Sequence, residues 1–393
     1  MNEITPIVYL DNSATTPLCD EAKAAITAAL DCYGNPSSIH EQGLRAHRLV
    51  EQARAQLAAA LGLRGPIAPG SLVFTSCGSE ADSLALLGTA RAKARRTANK
   101  IVTTDSEHPA VEQVMQQLER EGWQICRLST RGGALDPEEL DRVLDDKVFL
   151  VSLMMVNNET GAMYDLKSAF SLAKRRNPSV ITHTDAVQGF LKCKFTPASI
   201  GADLVTVSGH KVHAPKGIGA LYINPALLKA KAITPFLVGG GQEFGMRSGT
   251  ENVLGITAFG AAVEALSAHL DDDLAQMRAL RESTRERLLA MGIGVKEPAG
   301  ACAPHILNVT LPGIRSETML HFLSARGVCV SAGSACSAHA KKTSNALTAF
   351  GVKPQDADSS LRISLSPYTT EADIDILISA LADGLATLVR ARR

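Results

Sequence analysis

A lysine, an acid and a small-residue turn, each placed at the end of an apolar run, are the first chemistry legible in this chain. Lys211 closes Ser208-Gly209-His210-Lys211, directly after the run 203–207. A lysine just past a strand, among small residues, can enter a partly buried cleft. Burial there disfavours the ammonium form and makes a usable Schiff-base amine. On this fragment alone, a solvated turn lysine is the simpler reading. Asp185 shifts the balance: it ends the run 180–184, so its carboxylate belongs at the carboxyl end of a strand. An acid so placed can pair with a protonated ring nitrogen and keep the ring an electron sink, although it could equally cap the next helix. Twenty-six residues separate Asp185 from Lys211, about one crossover and one strand, which puts both at one edge of a sheet. Ser76-Cys77-Gly78-Ser79-Glu80 stands where a strand hands over to a helix. Small residues let the backbone approach an anion, and the helix start supplies unpaired N–H groups. A plain capping box would look similar; the three pieces together point to pyridoxal phosphate.

The elements that must position these groups alternate. Short β-rich runs occupy 72–75, 100–104, 124–128, 148–154, 180–184, 204–207 and 218–223, with helical stretches at 79–96, 109–121, 137–144 and 166–175. Strand, helix, strand at this spacing predicts an α/β fold with a mainly parallel sheet covered on both faces. Its ligands bind beyond the carboxyl ends of the strands. After about residue 255 the pattern changes to one long amphipathic stretch, 256–291, and a smaller α+β region. Strands are expected there at 305–311, 328–330 and 361–365, with a last helix from 371 to about 389. The division expected is a large domain, 15–255, and a small one made of 1–14 plus 256–393.

Bulk properties exclude more than they identify. The 393 residues are long for a single core. Forty basic residues balance forty acidic ones, so net charge suggests neither nucleic acid nor a membrane surface. The longest apolar run, 148–156, is interrupted by Ser152 and is too short to span a bilayer. The start, Met1-Asn2-Glu3-Ile4-Thr5-Pro6, lacks the basic and apolar stretches of a secretory signal, so a cytoplasmic location is expected. None of the eight cysteines forms a C-x-x-C pair, so no metal site is expected, and most should be free, packed thiols.

Cys336 is the exception. The segment 330–345 around it, Val-Ser-Ala-Gly-Ser-Ala-Cys-Ser-Ala-His-Ala-Lys-Lys-Thr-Ser-Asn, is small and polar, which predicts an exposed, mobile loop. His339, Lys341 and Lys342 put positive charge nearby, which favours the nucleophilic thiolate. Cys329 falls inside an apolar run and reads as core.

The chain resembles the class V aminotransferases, and within them the group I, NifS/IscS-type cysteine desulfurases. The resemblance covers nearly the whole sequence. It runs through the motifs at 10–17, Gly34-Asn35-Pro36, Glu107-His108, 156–161, Asp185-Ala186-Val187-Gln188, 208–211, Arg247-Ser248-Gly249-Thr250 and Gly333-Ser334-Ala335-Cys336. It implies the pyridoxal-phosphate-dependent transferase fold (fold type I). It also implies conversion of L-cysteine to L-alanine with sulfur left as a persulfide on Cys336, for iron–sulfur cluster assembly or tRNA and cofactor thiolation. By resemblance, Lys211 is the Schiff-base lysine and Asp185 the partner of the ring nitrogen. Gln188 and Asn158 contact the ring's phenolic side, and His108 stacks on the ring and moves protons. Gly78, Ser79, Ser208 and His210 hold the phosphate, and Thr250 completes that site in a neighbouring subunit, so a homodimer is implied. Arg362 and Asn35 take the substrate carboxylate. The phosphate loop has Gly78-Ser79 where the family often has Ala-Thr, and His213-Ala214 replaces a common Tyr-Gly. The chain ends at Arg393, without the longer tail that IscS-type members use for their scaffold protein, which leaves the identity of the sulfur acceptor open. A selenocysteine lyase or an aminotransferase of the same family is the alternative.

Overall fold

The computed structural model describes residues 7–92, 98–332 and 344–389. A first strand, β1 (Val8–Tyr9), is followed by α1 (Asp20–Ala29) and α2 (Glu41–Ala60). The central sheet then begins: β2 (Leu72–Thr75), α3 (Gly78–Ala92), β3 (Lys100–Thr104), α4 (Pro109–Arg120), β4 (Gln124–Leu128), α5 (Pro137–Val143), β5 (Val148–Ser152), α6 (Leu166–Arg176), β6 (Ile181–Asp185), β7 (Leu204–Ser208) and β8 (Gly219–Ile223). The strand order across this seven-stranded sheet is β2-β8-β7-β6-β5-β3-β4. β8 runs antiparallel to both of its neighbours, and the other pairs are parallel.

Apolar and β-branched residues fill these strands because both faces are covered. Every residue of β2, β3, β5, β6, β7 and β8 is buried. One face packs Val73, Ile101 and Leu150 against Leu84 of α3 and Met115 of α4. The opposite face packs Phe74, Val102 and Val205 against Leu57 of α2. α4 shows how sequence fixes orientation. His108 caps it, Pro109 opens it, and Val111, Val114, Met115 and Leu118 form the buried stripe expected of a 3.6-residue period.

The expected runs at 72–75, 100–104 and 124–128 coincide with β2, β3 and β4. The run at 148–154 ends as a strand two residues early. Leu153 and Met155 still donate their N–H groups to His183 and Asp185 carbonyls at 3.1 and 2.9 Å. Between them, Met154 N–H turns aside to Glu107 Oε1 at 2.9 Å.

The stretch expected as one helix over 256–291 is two, α7 (Val253–Ala268) and α8 (Leu270–Ala290), bent by 74°. His269 leaves helical geometry at φ −121° and ψ 14°, and Asp271, Asp272 and Asp273 fill the first turn of α8. Those acids favour a new helix N-terminus there. The boundary expected at residue 255 falls inside α7, whose Ile256, Phe259 and Val263 are buried in the same core as Leu57 and Phe74.

Beyond α8, β9 (Gly294–Lys296), β10 (Ile306–Thr310), α9 (Ser316–Ser324), β11 (Val328–Cys329), β12 (Ser331–Ala332), β13 (Ser360–Ser364) and α10 (Glu371–Thr387) complete the chain. β9-β10-β13-β12 form an antiparallel sheet over a core that includes Leu307, Ile363, Met319 and Leu377. β1 pairs in parallel with β11, and Asp11 bridges to Ser364, which ties the N-terminal segment to this region. Among the described residues, no single helix is long and apolar enough to cross a membrane.

Candidate active site

The carboxyl ends of β6 and β7 lie side by side, so their register delivers Asp185 and the turn carrying Lys211 to one place. A cavity of about 360 Å³ opens there. Its walls bring together Lys211, Asp185, His108, Gln188, Asn158, Gly78, Ser79, Ser208, His210 and Arg362. Ten of the residues singled out from sequence therefore converge on one cleft, although they span nearly 300 positions.

Lys211 Nζ donates to the carbonyls of Ser13 and Ala14 at 2.7 and 2.8 Å. The N-terminal segment thus holds the amine at the cavity wall through backbone acceptors. Asp185 Oδ1 accepts from Val187 N–H at 2.9 Å, and burial pushes this carboxyl up, opposed by His108. His108 is both the helix-start residue and a cavity residue. Its Nδ1 accepts from Ala110 N–H at 3.1 Å, which leaves Nε2 for the cavity. Burial lowers its pKa, so the neutral ring is favoured. Beneath it, Glu107 Oε1 accepts from Thr104 Oγ1 at 2.8 Å and from Met154 N–H, and burial raises its carboxyl to about 8.

The wall at the start of α3 suits an anion. Ser208 Oγ is buried without a hydrogen-bond partner among the described residues, beside Gly78. A Cβ on Gly78 would lie 2.9 Å from Val187 Cγ2 and 3.3 Å from Ser208 Cβ, so the helix start can close on its neighbours only without a side chain. An unpartnered hydroxyl, a helix N-terminus, a Schiff-base amine and an acid for a ring nitrogen form the donor set pyridoxal phosphate requires. The residues present fit it.

Opposite, Arg362 on β13 is buried. Nη2 donates to Asp11 Oδ1 at 2.9 Å and Nη1 to the Asn158 carbonyl at 3.0 Å, while Nε has no partner among the described residues. Two contacts leave part of its five-donor fork for an incoming carboxylate.

Two expected residues stand elsewhere. Asn35 is exposed, and its Oδ1 accepts from Ser37 N–H at 2.9 Å, a local turn contact that keeps it off the cavity wall. Thr250 is exposed at a separate depression shared with Ser76, Gly217 and Arg247. Cys336, His339, Lys341 and Lys342 lie outside the described residues. Cys329, read as core, is only half-buried, since β11 lies against the short strand β1.

Sequence reasoning missed Asp82. It lines the cavity from α3, and its pKa is raised by burial and then by Asp185. Its Oδ1 lies 3.6 Å from His183 Nε2, but burial holds that imidazole down to about 3, so the two do not form an ion pair. The available signal was an acid on the otherwise apolar face of α3, among Ala81, Leu84 and Ala85.

A lysine–acid pocket beyond the carboxyl edge of a mainly parallel sheet suits the chemistry of a fold type I pyridoxal-phosphate enzyme. The chain belongs to the class V aminotransferase family, whose model matches residues 8–377, and within it to the NifS-like cysteine desulfurases. It is 39% identical over 381 residues to a cysteine desulfurase of Trichormus azollae, covering 96% of this chain and 92% of that one. The solved structure of a NifS-like protein superposes with a TM-score of 0.90 at 33% identity, covering 98% of this chain and all of the other. SspA, solved in complex with cysteine, aligns with a TM-score of 0.77 at 29% identity, over 92% of this chain and 99% of its own.

Proposed function

We propose that this protein is a pyridoxal-phosphate-dependent cysteine desulfurase, working as a homodimer, that converts L-cysteine to L-alanine and passes the sulfur to Cys336. The observation that carries the reading is one cavity joining a Schiff-base lysine, a ring-nitrogen acid and a carboxylate-binding arginine.

Lys211 and Asp185 would hold the cofactor by its reactive carbon and its ring nitrogen, and Ser208, Gly78, Ser79 and His210 its phosphate. When bound, pyridoxal phosphate supplies an electron sink that stabilises negative charge at the substrate Cα. Arg362 fixes the substrate carboxylate. Lys211 Nζ would move the proton at Cα, and neutral His108 would present Nε2 as a second proton carrier. Cys336 attacks the substrate sulfur: the carbon–sulfur bond breaks and a sulfur–sulfur bond forms. The substrate carbon gains a proton, so L-cysteine and an enzyme thiol become L-alanine and an enzyme persulfide. Thr250, exposed beside Gly217 and Arg247, is available to a neighbouring subunit, which supports the dimer reading. An acceptor protein, an iron–sulfur scaffold or a thiolation enzyme, then takes the sulfur.

The test is steady-state turnover of L-cysteine with a thiol reductant, in which alanine and sulfide should appear in equal amounts. Arg362→Lys keeps a positive charge for Asp11 but loses the planar fork. Its KM should rise about 10- to 100-fold, the loss of one charge-assisted bond, with an unchanged denaturation midpoint. An unchanged KM would remove Arg362 from substrate binding. Turnover of a keto acid with no sulfide would replace the desulfurase reading with an aminotransferase.

A further inference from the structure

One buried cation has no role in the chemistry above. Lys192 lies four residues after Gln188 and is 5% exposed. Its hydrogen-bond partner among the described residues is Gln188 Oε1, at a long 3.5 Å. No described carboxylate lies within ion-pair distance of its Nζ. A buried charge in that position is costly unless something nearby is negative.

The geometry around Gln188 says where that negative charge belongs. Gln188 Oε1 also faces His305 Nε2 at 3.4 Å, and His305 is fully buried. Gln188 Nε2 donates to the Ser13 carbonyl at 2.8 Å, the same carbonyl that accepts from Lys211 Nζ at 2.7 Å. An ammonium group has three donors and no acceptor. It therefore dictates that the amide turns its oxygen inward, and the N–H₂ end must point to Ser13 and the cavity. Without that donor, the Ser13 carbonyl is left as the main hold on the amide orientation, and Oε1 loses its cationic partner.

We infer that Lys192, assisted by His305, is a positioning residue that locks the Gln188 amide with its N–H₂ toward the cofactor's phenolic oxygen and places a positive charge behind it. The inference rests on the proposed cofactor reading. It gives the unpaired cation an anionic counterpart on the far side of one amide.

Several groups share this region. Lys211 and Arg362 face Lys192 from neighbouring elements, and Cys193 adjoins it in sequence. His210, His213 and His305 are each held down partly by its charge. Burial, reinforced by Lys211 and Arg362 and opposed by Cys193, lowers Lys192 itself to about 7.

The sign of the expected effect follows. Removing Lys192 removes, below about pH 7 where its amine is mostly protonated, a positive charge near the nitrogen of Lys211. It also loosens the Gln188 amide, which weakens the N–H₂ donation that stabilises an oxyanion. Both changes hold the proton of the cofactor–lysine chromophore more tightly, so its titration moves to higher pH.

The experiment is a pH titration of the visible absorption of the purified holoprotein, comparing the parent with Lys192→Met and Lys192→Arg. Lys192→Met should titrate about one pH unit higher, while Lys192→Arg, which keeps charge and donors, should follow the parent. A folded, loaded Lys192→Met that titrates with the parent overturns the inference and leaves the cofactor reading standing. If Lys192→Met does not accumulate as holoprotein, Lys192→Gln takes its place: the same upward shift supports the inference, and parent-like titration overturns it. A parent with no visible band overturns the cofactor reading and this inference with it.

Discussion

Replacing Lys211 with alanine is expected to abolish the visible absorption formed when the protein binds pyridoxal phosphate covalently, and to lower alanine release from L-cysteine by about 10³-fold or more. The size reflects two losses at one atom, because Lys211 Nζ both anchors the cofactor and moves the Cα proton. The fold should survive. Lys211 donates to the carbonyls of Ser13 and Ala14, and a truncated side chain leaves those carbonyls beside an open cavity that water can enter. Absorbance spectra and turnover of Lys211→Ala check the prediction. Retention of the parent's band and rate would remove Lys211 from the chemistry.

A second large effect should come from far outside the cavity. Arg54 on α2 makes a two-pronged contact with Glu243, at 2.8 and 2.9 Å, and also donates to the Leu72 carbonyl at 2.7 Å. Glu243 Oε2 in turn accepts from Phe74 N–H at 2.8 Å. Both side chains are almost fully buried, so neither solvent nor salt screens the pair. Arg54→Ala leaves Glu243 buried without its cation, which costs about 3–5 kcal/mol. The measurement is the denaturation midpoint of the holoprotein. β2, which this pair steadies, leads into the turn that opens α3 at Gly78, so cofactor retention should fall as well. Replacing both partners with apolar residues of similar volume should recover part of the loss, because the stranded charge rather than the missing bond dominates. A single mutant as stable as the parent would show that Glu243 finds water or another partner.

Much of this site was legible in the sequence because parallel-sheet geometry is simple. Once Asp185 and Lys211 were placed at the ends of consecutive strands, the register of β6 and β7 had to bring them together. Gly78 and Ser79 were expected at the strand-to-helix turn of the same edge, and Ser208 was expected by resemblance to the family. The expectations that fell short depended on distant packing. The local mark between α7 and α8 is the run Asp271, Asp272 and Asp273, and its weight shows only once the apolar face of α7 is seen in the core of the large sheet. Asp82 and Lys192 escaped notice for a shared reason. A charged residue on an apolar segment reads as a surface position until the tertiary structure encloses it, and burial then turns it into part of the site.

The central claim is that sulfur leaves L-cysteine by attack of Cys336, a residue outside those the structure describes. Its most direct test is alanine released from L-cysteine with a thiol reductant, measured for the parent and for Cys336→Ala loaded with the same cofactor. The account predicts release by the parent and its collapse in the variant, with the visible absorption retained in both. Equal release by the two proteins would contradict it, because the carbon–sulfur bond would then break without an enzyme thiol to receive the sulfur.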